Sequence, residues 1–403
     1  MHLSKSYNTF TVSILLCLTT FVFAQKAPQT IVLNGNILAK NQKAIAANKD
    51  AMKTAALKNL LADADKIIKN GKFYSVMDKK IIPPSGDKHD YMSQAPYWWA
   101  DSTKPNGLPY IRRDGERNPE LNNISDHEEM GELMNDCETT ALAYYFSKNE
   151  RYAQHAARLL KTWFLDKETR QNPHLNFGQG IPGINTGRGI GIIETRELYR
   201  LIDATILLRG SKNWSKDNEM GLKKWFSDYL KWLMDSPIGQ DEADEHNNHG
   251  TYYDVQIISL ALFTDQPALA RKQIDTTKRR MMTQLKPDGS QPHELARTVS
   301  WGYTNMNLYG FMTIARLAEN LKIDLWHFET TDGKSIRKCV DWLVPYIKKE
   351  QKWTYKQIKK MTYEHSVPIL KMAAKVYSNA TYEALAKKVD TETYKSAFNQ
   401  LTF

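Results

Sequence analysis

The chain has 403 residues, a formal net charge of +10 and only three cysteines, one of them in an apolar stretch near the start. So few cysteines exclude a disulfide-built scaffold, and the length allows a large apolar core. The basic balance favours an acidic partner, yet no zinc-ligand spacing, helix-turn-helix signal or arginine-rich arm is present, which excludes nucleic acid as that partner.

Residues 1–24 read as a signal peptide, with Lys5 ahead of an apolar run from Phe10 to Phe23 and Val22-Phe23-Ala24 at the cut. The run is shorter than the ~20 residues a spanning helix needs, and no later segment approaches that length, so no membrane span is expected. Cys17 lies inside the run, behind Leu16, rather than at a lipid-attachment position. The expected address is the periplasm, with secretion as the alternative, and residues 25–403 are read as one domain.

From residue 37 onward the pattern is helical almost throughout. Met130, Leu133, Met134, Cys137, Ala141 and Tyr144 recur at three and four residues, as do Tyr152, Ala156, Leu159 and Trp163. Similar pairs return at 189–209 with 217–234, at 250–263 with 267–285, and at 304–321 with 335–349, joined by short turns. No fixed sequence period supports a repeat solenoid. The expected fold is therefore all-α, an α/α toroid of about six to seven helical hairpins. Polar or Gly-rich inserts at 82–125, 170–190 and 287–303 are expected to line its cleft. Cys137 and Cys339 are read either as a bridge or as two buried thiols, and the segment beyond about residue 350 shows no nameable chemistry.

Four segments carry chemical signals. The first, "HDYMSQAPYWWADSTKPNGLPYIRRDGERNPE", places Tyr97, Trp98 and Trp99 in a loop, where aromatic faces can stack on sugar rings while Arg112 meets carboxylates. Plugging the end of the toroid is the alternative for either tryptophan. The second, "FGQGIPGINTGRGIGIIE", lacks the preceding strand of a dinucleotide loop. Its glycines are read as a tight backbone bringing Asn185 and Arg188 to a ligand, with Glu194, Arg196 and Glu197 in structural ion pairs.

The third, "DEADEHNNHGTYYD", raises a metal site through His246 and His249. The spacing falls in a loop and no second cluster supplies further ligands, so neither metal nor cofactor is expected. At a helix start, a neutral His249 can act as a base and Asn248 can donate to a substrate carboxylate. Tyr253 and His246 are taken as flanking substrate contacts, and the acids as helix-start caps. In the fourth, "KPDGSQPHELARTVSWGYTNMNLYGF", a catalytic Tyr303 needs a neighbouring cation, and Arg297 is the candidate. A bridge from Arg297 to Glu294, and burial of Tyr309, are the plainer alternatives.

In combination, "NNHGTYYD", "PHELART", "GINTGRGIGIIE" and the aromatic loop resemble the alginate lyase superfamily of polysaccharide lyases, over roughly residues 85 to 320. The long "YMSQAPYWW" loop looks like the Bacteroidetes-type members, some of which are similar to glucuronan lyases. The resemblance implies an α/α toroid and β-elimination on 4-linked uronic acid polymers, alginate of the polymannuronate type first and glucuronan as the alternative. It assigns Asn248 to the uronate carboxylate, His249 as base or carboxylate neutraliser, Arg297 to binding or tuning, and Tyr303 as acid. The interval from Arg297 to Tyr303 is one residue shorter than the family's. Two rivals stand beside it. One is a glycoside hydrolase using carboxylates from Asp241, Glu242, Asp244 or Glu245, and the other is a non-catalytic acidic-glycan-binding protein.

Overall fold

A computed structural model describes residues 26–403. The expected signal peptide lies outside the described residues. Helices α1 (Gly35–Ala46) and α2 (Ala51–Asn70) come first, and α2 is bounded by its Asp50 cap and a left-handed Gly71. The pair α3 (Asp126–Ser147) and α4 (Glu150–Phe164) follows, then α5 (Tyr199–Leu207), α6 (Lys216–Asp235) and α7 (Pro237–Asp244). The second half holds α8 (Asn248–Phe263), α9 (Pro267–Gln284), α10 (Pro292–Leu295), α11 (Ser300–Glu319) and α12 (Ile336–Ile347). It ends with α13 (Ser366–Val376), α14 (Ala380–Val389), α15 (Thr391–Lys395) and α16 (Ala397–Thr402).

Packing turns this series into the expected α/α toroid. Helices α3, α5, α8, α11 and α13 touch in succession, while α4, α9, α12 and α14 back α3, α8, α11 and α13 as hairpin partners. Burial separates the two layers, since a helix surrounded by protein must be covered on every face. Almost all of α8 is buried, whereas α9 buries one stripe. The ring closes where α16 packs on α2 and α1, with Asn41 Nδ2 of α1 donating to Leu401 O at 2.9 Å. The N-terminal segment is pinned to the inner layer by buried Asp203, whose carboxylate accepts the backbone N–H groups of Ile31, Val32 and Leu33.

Cys137 and Cys339 are buried free thiols within one continuous apolar core. Among the described residues no helix is long and apolar enough to cross a membrane.

The inserts gather at one end of the ring. Strand β1 (Met92–Gln94) pairs in parallel with β4 (Phe177–Gly180), and β2 (Trp98–Trp99) pairs antiparallel with β3 (Ile111–Arg112). A fully buried ion pair, Lys79 with Asp126 at 3.0 Å, ties the chain just before the first insert to the start of α3, and Lys79 Nζ also donates to Lys88 O within the insert at 2.8 Å. The same Asp126 carboxylate accepts the Met92 backbone N–H.

Two local expectations are corrected. Residues 189–195 form a 3₁₀ turn rather than the first turns of an α-helix. The cause is close backbone packing on β4, where a Cβ on Gly191 would lie 2.5 Å from the Gly178 carbonyl group. The acids of 241–245 do not cap the start of α8, because they end the separate helix α7 or follow it, and Asn247 is the cap, its side chain accepting from His249 N.

Candidate active site

Inner helices α3, α8 and α11 all present their N-termini to the end that carries the inserts. His127, in the first turn of α3, His249, in the first turn of α8, and Tyr303, in the first turn of α11, face one cavity of about 560 Å³. The positive ends of three helix dipoles therefore converge there, which favours an anionic ligand. Arg112, Arg117, Arg188, Arg196 and Arg297 also line the cavity.

The α8 turn is held by two buried carboxylates. Glu242 Oε1 lies 2.9 Å from His249 Nδ1. An ionised Glu242 keeps the ring proton on Nδ1 and leaves Nε2 as a free acceptor. Burial raises the Glu242 pKa, and the His249 ring opposes that rise. Glu294 accepts both the backbone N–H of Asn248, at 2.7 Å, and its Nδ2, at 2.8 Å. One amide hydrogen of Asn248 is left over for a ligand. Burial pushes Glu294 up to about 7, so near neutrality it exchanges a form that accepts both bonds for one that carries its own proton.

Across the cavity the Tyr303 hydroxyl accepts from Arg297 Nη2 at 2.7 Å and lies 2.9 Å from the Tyr97 hydroxyl. The Arg297 guanidinium also sits over the Tyr303 ring, 3.8 Å from its centre. Burial raises the Tyr303 pKa well above that of a free phenol, the Tyr97 hydroxyl adds to the rise, and Arg297 works against it. The site thus holds a protonated phenol beside a cation able to stabilise its anion. Arg297 is fixed by Asp114, at 2.8 Å, rather than by Glu294. Thr298 completes the clamp, its Oγ1 donating to the Asp114 carboxylate at 2.9 Å.

The remaining expected residues divide. Tyr97, Trp98, Arg112 and Arg188 line the cavity, with Arg188 over the Trp98 ring and donating to both Gln179 oxygens. Four others do not. Asn185 is exposed in a tight turn, where its Oδ1 accepts Ile181 N. Trp99 points outward, with Nε1 donating to Glu116 O under the Arg113 guanidinium. Tyr253 faces the core because it lies more than a turn into a helix buried on all sides, and its hydroxyl donates to Leu233 O at 3.0 Å. His246 is exposed ahead of α8 and packs edge-on against His293. Among the described residues no three His, Cys, Asp or Glu side chains gather as a metal cage.

Sequence reading missed Glu242, Glu294 and Asp114 as partners, and Arg196 as a cavity residue. Glu242 lies seven residues before His249, two turns away on a continuous helix, but a helix break makes them neighbours. Arg196 contacts Glu197 at 3.3 Å, the expected structural pair, and still opens onto the cavity. A second cavity, of about 400 Å³, shares Tyr97, Arg196, Tyr303 and Met306 with the first, so the cleft runs past Tyr303 on both sides.

Comparison with known proteins agrees with this geometry. The family model for alginate lyase matches residues 75–353. The crystal structure of an alginate lyase from Bacteroides ovatus is 40% identical in sequence, covers 93% of this chain and 100% of its own, and superposes with a TM-score of 0.88. Alginate lyase A1-III from Sphingomonas species A1 shares the fold at 15% identity, covering 95% of this chain and 99% of its own with a TM-score of 0.60. A variant of A1-III complexed with a tetrasaccharide gives the same identity and TM-score, covering 95% of this chain and 98% of its own. No curated protein sequence matches. Fold and site together define an α/α-toroid polysaccharide lyase. With the family model spanning well over half its length, the chain belongs to the alginate lyase family.

Proposed function

We propose that the protein cleaves alginate, mannuronate-rich alginate first, by β-elimination at 4-linked uronate residues. The observation that carries this reading is the Tyr303 hydroxyl, held between Arg297 and Tyr97 and facing a cavity that also presents His249 and Asn248. In the reaction the C5–H bond breaks, its electron pair forms the C4–C5 double bond, and the C4–O4 bond breaks as O4 takes up a proton. Charge builds on the uronate carboxylate as C5 loses its proton. The free amide hydrogen of Asn248, the convergent helix N-termini and the cavity arginines stabilise that charge.

In mannuronate the C5 hydrogen and O4 lie on one face of the ring, so a single group can serve both. Tyr303 takes the C5 proton as phenolate and returns it to O4, with Arg297 lowering the cost of the anion. Where the two lie on opposite faces, His249 Nε2 is the base and Tyr303 the acid. A hydrolase would need two free carboxylates in the cleft. The two carboxylates that line the cavity are instead bonded, Glu194 to Tyr91, Ser93 and His127 and Glu245 to Asn247, while buried Glu242 and Glu294 hold His249 and Asn248. Residues 1–24 support a periplasmic or secreted address, where such a polymer would be met.

The test follows absorbance at ~235 nm, which reports the conjugated product, in parallel with reducing ends on polymannuronate, polyguluronate and glucuronan. Both signals should rise together, fastest on polymannuronate. Reducing ends without absorbance would mean hydrolysis and would overturn the reading.

A further inference from the structure

The family match ends at residue 353, yet the chain beyond it returns to the cleft. Residues 353–366 lie as a strap across the start of α11. Trp353 Nε1 donates to Ser300 Oγ at 3.0 Å, Ile358 N to Thr298 O at 2.9 Å, and Trp301 Nε1 to Thr362 O at 2.7 Å. Ser366 Oγ then donates to Asn305 Oδ1 at 2.8 Å. These bonds fix the strap to the turn that bears Arg297 and Tyr303. The strap in turn walls the second cavity with exposed Lys359 and His365, while Arg196 also lines it and its lining carboxylate, Glu197, is paired with Arg196 and Arg200.

A polyuronate carries one carboxylate on every sugar. If Tyr303 acts at the bond being broken, sugars lie on both sides of it, and each side must present groups that accept a carboxylate. The first cavity does so with Arg112, Arg117 and Arg188. We propose that the second cavity is the uronate subsite on the opposite side of the scissile bond, with Arg196, Lys359 and His365 meeting the sugar carboxylates there. The proposal rests on the lyase reading for its placement relative to the cleaved bond. Lys359 stands at an exposed rim, where its charge attracts the polymer and is screened by salt, and His365 at the same rim offers a ring nitrogen to the sugar, so they act on capture of the chain rather than on its chemistry.

The experiment compares the full-length protein with Lys359→Ala/His365→Ala and Lys359→Arg on polymannuronate. Lys224→Ala on the outer helix α6 controls for bulk charge. The double variant should raise KM about three- to tenfold with kcat within about twofold, and the gap should narrow in high salt. Lys359→Arg and Lys224→Ala should behave as wild type, and no variant should lower the melting temperature. A double variant with unchanged KM, or an equal KM rise in Lys224→Ala, overturns the subsite. Affinity electrophoresis in polymannuronate gels keeps the two readings apart. Retarded migration that the double variant loses supports the subsite even if no unsaturated product forms, an outcome in which the lyase reading alone fails.

Discussion

Tyr303 is subject to opposing forces, and its pH behaviour should show them. Burial keeps its proton on, while Arg297, 2.7 Å from the hydroxyl, favours the anion. On the same-face route the phenolate is the base, so kcat/KM on polymannuronate should climb as the pH rises above neutrality. Tyr303→Phe should lower kcat about 100- to 10,000-fold with little change in KM. At the acid side Glu294 sets a limit. Its pKa is raised to about 7, so falling pH protonates it and removes one of the two bonds that hold Asn248. Activity should decline through that range, and a pH profile of Glu294→Gln should show this limb shifted or gone.

His249 gives a third check. Glu242→Leu removes the acceptor that keeps the ring proton on Nδ1 and Nε2 free, so kcat on polyguluronate should fall about 10- to 100-fold while KM holds. Asn248, His249, Arg297 and Tyr303 were legible in the sequence because each sits at or just before a helix start marked by Gly, Asn or Ser. Several of their partners were not. Glu294 lies 46 residues from Asn248, Asp114 183 from Arg297, and Tyr97 206 from Tyr303. A carboxylate carries no mark in sequence of which distant donor it will meet.

Among the elements, the inserts hold the site, and they are held in turn by backbone contact and one buried ion pair. Gly191 lies against the Gly178 backbone, so Gly191→Ala should cost about 1–3 kcal/mol in denaturant unfolding by forcing β4 away from the 3₁₀ turn. The glycine-rich run was visible as a tight backbone, but its outcome, a 3₁₀ turn under Arg188 with Asn185 turned to solvent, depends on β4, which pairs with β1 of a separate insert. Lys79 and Asp126 make a pair with neither side chain exposed. Lys79→Met strands a buried carboxylate and should cost about 3–5 kcal/mol at neutral pH. Burial raises Asp126 to about 6 even beside Lys79. Without Lys79 the carboxyl is raised further still and is costly only when ionised, so the deficit should shrink as the pH falls from the alkaline side towards about 6 and level off below, measured by urea unfolding at several pH values.

At the scale of the molecule, the toroid was legible because the hairpins are unequal and lack a fixed period, and because three long polar or Gly-rich inserts interrupt them. The strap beyond residue 353 was not legible. Its lysines and aromatics carry no helical period, and its meaning lies in the Ser300–Asn305 turn it crosses. The ring also explains why an anion-binding cleft forms from few exposed charges. Successive inner helices run the same way, so their N-termini share one face, and the arginines add to a field the backbone already supplies.

The most direct test of the central claim is mass spectrometry of the oligosaccharides released from polymannuronate in water enriched in heavy oxygen. β-Elimination predicts products lighter by one water than hydrolysis would give, with no heavy oxygen incorporated at the cleaved bond and their formation by Tyr303→Phe slowed about 100-fold or more. Products of full hydrated mass carrying one heavy oxygen per cleavage would contradict it.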